Sequence, residues 1–338
     1  MKFPKKLLRG KLTFGKLIAV LLIWLAWVGV SHFAGNADFG TAPLELDTIP
    51  AAHAESGITG GKIRICSWNV HNYSVANRYV NGKWRQHPKP ESEKAALRKT
   101  LIQINADVVL IQEMGDEVYL AELRDALARE GLAYPYCATT SHDAYTRVAI
   151  MSRLRPKNFY DCSDVSFAFK GEKVFSPRGA LGAKFTSSGR TWFAFAIHLK
   201  SKSGARKADE EFYPFRFAEV RAIDARVAPA VGGSPVIVAG DFNNEPSSAL
   251  LRNFKKLELS MLGGGDFSSK AAYTYYWKKK DKPYVYDYFL VNQQMRSCAG
   301  EPKIINCQSA REAPCRLSSI WILPLLTKSY TAELRFSF

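Results

Sequence analysis

The sequence predicts an α/β protein, and three observations predict it. Apolar residues make up 47% of 338, enough for a substantial core. From Lys62 onward, β-rich apolar runs alternate with amphipathic helical segments. Several of those β-rich runs also end in reactive polar side chains. Loops at one end of a rigid sheet can bring such residues together.

The N-terminus stands apart from this pattern. "MKFPKKLLRGKLTFGK" is basic, and "LIAVLLIWLAWVGV" (17–30) is apolar and uncharged. This is the pattern of a signal peptide or signal-anchor helix over residues 1–35. Fourteen apolar residues are short for a span, but extension to Ala34 makes 18. The preceding positive charges argue against a buried helix of a soluble domain and should stay inside. The remainder is therefore expected to be exported, membrane-tethered by this helix, or secreted if the helix is cleaved. Ala52-His53-Ala54 has the look of a cleavage site but lies far from the apolar run. Residues 36–60, rich in Ala, Gly, Thr and Pro, read as a linker, and 61–338 as the folded domain.

Within that domain "KIRICSWNV" (62–70) alternates as a strand does. "ESEKAALRKTLIQI" (91–104) places apolar residues at Ala95, Leu97, Leu101, Ile102 and Ile104, as an amphipathic helix does. "ADVVLIQEM" (106–114) reads as a buried strand. "VYLAELRDALARE" (118–130) reads as a helix closed by Gly131. "TRVAIMSR" (146–153) and "TWFAFAIHLKS" (191–201) are strands, and 208–228 is a helix. "VYDYFLVN" (285–292) and "TAELRFSF" (331–338) complete the strands.

The formal charge is +16, and six of the positive charges precede Leu17; 16 less 6 leaves +10 for the rest. That excess favours phosphate-rich partners: nucleic acid, anionic lipid or a phosphorylated small molecule. Six cysteines in an exported chain permit disulfides. Cys137–Cys162 and a pair within Cys298, Cys307 and Cys315 are candidate bridges, and Cys66 reads as a buried thiol. The absence of Cys-x-x-Cys disfavours a zinc ribbon. A single apolar segment gives no support to a transporter.

The stretch "SPVIVAGDFNNEPSS" (234–248) runs from a buried strand into Asp241, Asn243 and Asn244. Asp and Asn there can form a turn by bonding their own backbone. They can also form a reaction site, because ligands collect beyond strand ends in open sheets. Other runs end in the same way: Asn69 and His71, Gln112-Glu113, and His198 with Lys200. Asp287 lies inside a further run.

"SWNVHNY", "ADVVLIQEM", "RVAIMSR", "AIHLKSK", "VAGDFNNEPSS" and "YDYFLVN" occur in one order across residues 62–293. In that order they resemble the endonuclease/exonuclease/phosphatase superfamily, the deoxyribonuclease-like metal-dependent phosphoesterases. The resemblance implies a four-layer α/β/β/α sandwich of two mixed sheets, preceded here by the N-terminal hydrophobic helix. It implies a hydrolase of phosphoric esters that uses Mg²⁺, with Mn²⁺ or Ca²⁺ as alternatives. Such chemistry needs a cation, an in-line water and a stabilised leaving oxygen. Mg²⁺ takes oxygen ligands and keeps several waters, so one or two carboxylates suffice.

Glu113 matches the family's metal-binding Glu, and Asn69 offers an amide to metal or phosphate. Asp241 resembles the residue that activates the attacking water, and Asn243 the one that binds a phosphoryl oxygen. His198 resembles the His proposed to assist the leaving group. Asp287 resembles the Asp that supports a catalytic His or the metal site. Lys200 and Lys202 could touch substrate phosphate as point charges. "YYWKKKDK" (275–282) is a nucleic-acid or lipid-surface contact, or merely a solvated basic hairpin tip.

The chain departs from the family at its end, where a Ser-Asp-His segment is expected. Here the last Asp is Asp287 and the last His is His198; Ser318-Ser319 is followed by Ile320 and Trp321. The dyad has been lost and the chain binds without cleaving, or a neighbour substitutes, or a short segment of the sequence is altered. The reading is an exported monomeric phosphodiesterase or phosphatase, first a nuclease. A phospholipid or inositol-phosphate phosphoesterase is the nearest rival, and an impaired binding module the rival of another class.

Overall fold

The computed structural model describes residues 62–141, 144–187, 189–202, 208–246, 249–263, 273–277, 281–305 and 320–326. The expected N-terminal helix, the linker and the strand at 331–338 lie outside the described residues. No helix among the described residues is long and apolar enough to cross a membrane.

The chain enters with β1 (Lys62–Tyr73), a hairpin of β2 (Ala76–Val80) and β3 (Lys83–His87), then α1 (Glu91–Ile104). β4 (Val108–Met114), α2 (Glu117–Arg129), β5 (Tyr136–Thr139) and β6 (Arg147–Ser152) follow. Next come β7 (Asn158–Asp161), a second hairpin of β8 (Ser166–Phe169) and β9 (Glu172–Phe175), then β10 (Ala180–Ser187) and β11 (Arg190–His198). The long helix α3 (Ala208–Val231) leads to β12 (Val236–Asp241) and the short β13 (Ser260–Met261). A third hairpin, β14 (Tyr275–Trp277) and β15 (Lys282–Tyr284), precedes β16 (Asp287–Val291). α4 (Gln293–Arg296), β17 (Lys303–Ile305) and β18 (Ile320–Leu326) finish the described chain.

Two six-stranded mixed sheets result, ordered β17-β18-β1-β4-β6-β5 and β13-β16-β12-β11-β10-β7. Each has a parallel pair at its centre, β1 with β4 and β11 with β12. Parallel neighbours need a crossover, and helices α1 and α3 supply it.

Strand alternation builds the layers. Ile63 and Ile65 of β1, Val108 and Leu110 of β4, and Val148 and Ile150 of β6 share one core with Phe193, Phe195, Val236 and Val238 of the second sheet. The intervening Cys66, Trp68, Val109, Ile111, Ala149 and Met151 pack instead on Leu97, Leu101, Leu120 and Leu123 of α1 and α2. A strand buried on both faces reads as a continuous apolar run, as β4 and β12 do. Val220, Ile223 and Val227 of α3 join the first core, which covers the second sheet. The four-layer α/β/β/α order follows, as the resemblance implied.

One expectation is overturned. Cys137 and Cys162 are free thiols. Cys162 belongs to the core between the sheets, whereas Cys137 packs against the core under α1 and α2, so the two do not share a layer. Burial pushes the Cys137 thiol up to about 12. Cys66 is a buried thiol, as expected. Cys298 is also a free thiol, bonding to the Met295 carbonyl at 3.3 Å; Cys307 and Cys315 lie outside the described residues.

Candidate active site

Register places the site. His198 is opposite Asp241, and Asp241 is opposite Asp287, so β11, β12 and β16 carry the three side by side. In the other sheet Asn69 of β1 pairs with Gln112 of β4. The β4–β6 ladder breaks between Gln112 and Met114, and Glu113 there has φ 60°. Left-handed backbone is costly for a residue with a Cβ and gathers at functional sites. The kink separates the buried Gln112 from the partly exposed Glu113.

The two sheets then meet through hydrogen bonds. Asn69 Nδ2 donates to Glu113 Oε1 at 3.0 Å and to Asp241 Oδ2 at 3.1 Å. The Asn72 N–H donates to Glu113 Oε2 at 2.9 Å, and the His71 N–H to Asn69 Oδ1 at 3.0 Å. One amide therefore ties a carboxylate of each sheet into a single cluster.

Asp241 also closes the turn read from the sequence. Its Oδ1 accepts the Asn243 N–H at 2.8 Å, and Asn243, at φ 49°, sends Nδ2 to the Leu199 carbonyl at 2.9 Å. Turn and site are thus one geometry. Phe242 fixes the loop from behind by stacking on Tyr288 with centroids 4.1 Å apart, and the Tyr288 hydroxyl donates to the Asn244 carbonyl.

Electrostatics sharpen the cluster. Burial, and after it the neighbouring Glu113 charge, push the Asp241 carboxyl up to about 7. Burial pushes Asp287 well above the carboxylate range, with the Asp241 charge adding to it. Asp287 Oδ1 finds no hydrogen-bond partner among the described residues. His198 is 3% exposed, and its Nε2 lies 3.6 Å from Asp241 Oδ2. Burial and then the Arg178 charge hold His198 well below its usual value, so its ring is neutral.

Arg178 carried no signal in the sequence reading, yet its charge also acts on Lys200 and Asp241. It stands in the turn just before β10. That turn is anchored by Ser176, whose Oγ accepts the Gly179 N–H and donates to Glu219 Oε1 at 2.7 Å. Glu219 Oε2 accepts the Lys200 N–H at 3.0 Å. Arg216, wholly buried beside it on α3, donates to Asn244 Oδ1 at 3.2 Å. One buried acid–base network thus holds three loops of the site. Lys202 places Nζ 5.2 Å from the centre of the Tyr286 ring, which stacks with Tyr275 and Tyr284.

Among the described residues no group of three or more His, Cys, Asp or Glu is arranged to hold a metal. The oxygen donors that are present are the carboxylates of Glu113 and the nearby Asp241, bridged by the Asn69 Nδ2, with crowded negative charge. That chemistry fits a hard divalent cation that retains most of its water.

β18 runs antiparallel to β1 with Ser67 opposite Trp321, which brings Ile320 to the end of the sheet that carries Asn69. This is where the family dyad was expected. Ser318 and Ser319 lie outside the described residues.

Two facing mixed sheets thus carry an amide-linked carboxylate cluster where their strands end. The chain belongs to the Endonuclease/Exonuclease/phosphatase family, whose profile matches residues 66–304. Members of this family hydrolyse phosphoester bonds. No curated protein sequence matches the chain. Among solved structures it is similar to the human Nocturnin catalytic domain with bound sulfate, at 18% identity and TM-score 0.54, over 78% of this chain and 94% of that one. It is also similar to the 3′-5′ exonuclease of Neisseria meningitidis (14%, TM-score 0.53, 78% and 99%). Humanized D. rerio TDP2 matches comparably (18%, TM-score 0.53, 78% and 99%). At these identities the likeness establishes the fold.

Proposed function

We propose that the chain is a Mg²⁺-dependent phosphodiesterase acting on nucleic acid. The observation that carries the reading is the Asn69 amide joining Glu113 of one sheet to Asp241 of the other, beside Asp287. Glu113 would hold the cation, and Asn69, whose Nδ2 bridges the Glu113 and Asp241 carboxylates, would orient them. A bound Mg²⁺ would supply positive charge to offset the charge that develops on the phosphoryl oxygens. Asp241 orients the attacking water and accepts its proton, a role suited to a carboxyl poised near neutrality. Arg178, Lys200 and Lys202 supply positive charge to the phosphate. Asn243 holds the loop and presents its remaining amide capacity to a phosphoryl oxygen. The buried, neutral His198 supports Asp241 by its position; its burial does not suit the leaving-group role that the sequence suggested.

The excess positive charge favours a polyanionic substrate. The resolved likenesses include a 3′-5′ exonuclease, which supports the same direction. The basic, apolar N-terminus supports export with the domain tethered outside the cytoplasm. A second reading, a binding module with impaired catalysis, is favoured by the buried Asp287 Oδ1, which finds no partner among the described residues, and by the lack of an Asp-His pair near Ile320 in the sequence.

The test is plasmid nicking by the purified full chain with Mg²⁺ or EDTA, beside Glu113→Ala. Metal-dependent nicking that disappears in the variant is expected. A folded chain that nicks nothing overturns the nuclease reading, and oligonucleotide binding without cleavage would select the impaired module.

A further inference from the structure

The hairpin of β2 and β3 belongs to neither large sheet. Its turn is Asn81-Gly82, with φ 51° and 76°, as a tight hairpin turn requires. Tyr79 and Trp84 face each other across it with ring centres 5.7 Å apart, and they are 65% and 67% exposed. Their edge-to-face contact steadies the ribbon, yet it leaves most of both rings open to solvent as a surface for stacking.

Arg78 stands opposite Arg85 on the other face. Like charges directly opposite are unfavourable. Yet Ser74–Pro90 contains no acid; Lys89 pairs with Glu93 at 2.9 Å, which leaves the charges of Arg78, Lys83 and Arg85 on the ribbon. An anionic partner would relieve that repulsion.

The ribbon is rooted at the active site. Arg78 donates to the Asn72 carbonyl at 2.6 Å, and Lys89 Nζ to the His71 carbonyl at 3.1 Å. Asn72 is the residue whose N–H holds Glu113. A lone two-stranded hairpin is marginal in water, so these bonds fix its base to the turn that cradles the candidate metal ligand.

We propose that the Tyr79–Trp84 face of this hairpin is a docking surface for single-stranded nucleic acid, holding the strand beside the phosphodiester site. The rings stack on bases, which is tolerant of sequence. A ribbon of two strands is only about 5 Å across between strand axes, so the long arms of Lys83 and Arg85 reach its edges and the flanking phosphates. A membrane-inserting hairpin would carry its apolar residues at the tip. Here the turn is the polar Asn81-Gly82, closed by the Val80–Lys83 pair, and the rings form the next pair. The inference rests on the phosphodiesterase reading for the chemistry of the site, but binding can be measured without cleavage.

The experiment compares the full chain with Tyr79→Ala/Trp84→Ala. Affinity for a fluorescein-labelled single-stranded 20-nucleotide DNA is read by anisotropy in EDTA. Hydrolysis of bis(p-nitrophenyl) phosphate is read in Mg²⁺. The variant is expected to bind the DNA roughly tenfold more weakly or worse, with unchanged hydrolysis of the small ester. A second variant, Lys83→Gln/Arg85→Gln, should lower the slope of log affinity against log salt by about 1.4. Should the small ester resist even the wild type while DNA affinity still falls, the docking surface stands and the catalytic reading fails. Unchanged DNA affinity and salt slope in both folded variants overturn the proposal. So does retained DNA affinity with lost hydrolysis of phosphatidylglycerol in mixed micelles, which would assign the hairpin to a lipid surface.

Discussion

Replacing Gly240 by Ala tests whether backbone contact between β11 and β12 sets the site. Gly240 sits at φ 151°, opposite Ile197, one residue before Asp241. A Cβ there would lie 1.9 Å from the Ile197 carbonyl oxygen. Cβ contacts below 3.0 Å essentially do not occur, so the two strands must separate by about 1 Å. Overpacking of this kind costs about 1–3 kcal/mol and the strained φ a similar amount, giving about 3 kcal/mol or more. In a domain of this size that lowers the melting temperature by about 6–12 °C. The control is Gly232→Ala, at φ 54° with nothing within 4 Å of the added Cβ. It bears only the left-handed penalty of about 1–2 kcal/mol. Because His198 and Asp241 are the next pair along the ladder, a 1 Å displacement should also slow bis(p-nitrophenyl) phosphate hydrolysis by about 10²-fold. Thermal melts and rates of the two variants decide it. Equal melting shifts, or a Gly240→Ala chain with full activity, would refute the reasoning.

Two further outcomes follow from the buried charges. Glu219→Gln exchanges an acceptor for a donor facing the Lys200 N–H or the Ser176 hydroxyl. It should cost about 1–3 kcal/mol in urea denaturation. Its kinetic effect should fall on KM, through loosened Arg178 and Lys200, and a fall in kcat alone would contradict the assignment. In EDTA the folded chain should also lose stability as pH rises. Burial and Glu113 raise Asp241 to about 7, so between about pH 4 and 7 the folded state retains a proton that the unfolded chain has released. Stability from this group is complete below about pH 4 and declines through pH 7 by about 4 kcal/mol. The urea midpoint should therefore be lower at pH 8 than at pH 5, and Asp241→Asn should shrink that difference; an equal difference in the variant would exclude Asp241 as its source.

Legibility in the sequence depended on how local each constraint is. The helix at 91–104 emerged with the bounds read from its apolar spacing, because one amphipathic face suffices to define it. The β2–β3 hairpin carried its Asn-Gly signal in plain sight, but its strands show no alternation of apolar and polar residues, since so little of it packs on a core. The Cys137–Cys162 pairing failed because proximity in sequence says nothing about which side of a sheet a strand residue faces. Arg216 and Glu219 look like solvated helix charges in the sequence. They prove buried because α3 lays that face over the loops holding Ser176, Lys200 and Asn244.

The site itself shows the same division. Glu113, Asn69 and Asp241 each stood out at a strand end, yet nothing local required that they meet. Their meeting is decided by two long-range registers, Asn69 opposite Gln112 in one sheet and His198 opposite Asp241 opposite Asp287 in the other. A shift of one residue in β12 would turn Asp241 to the opposite face of its sheet and break the Asn69 bridge, while the strand pattern read from the sequence would stay the same. The chemistry of this chain is therefore encoded twice: locally in which residues end the strands, and globally in the packing that sets the strands abreast.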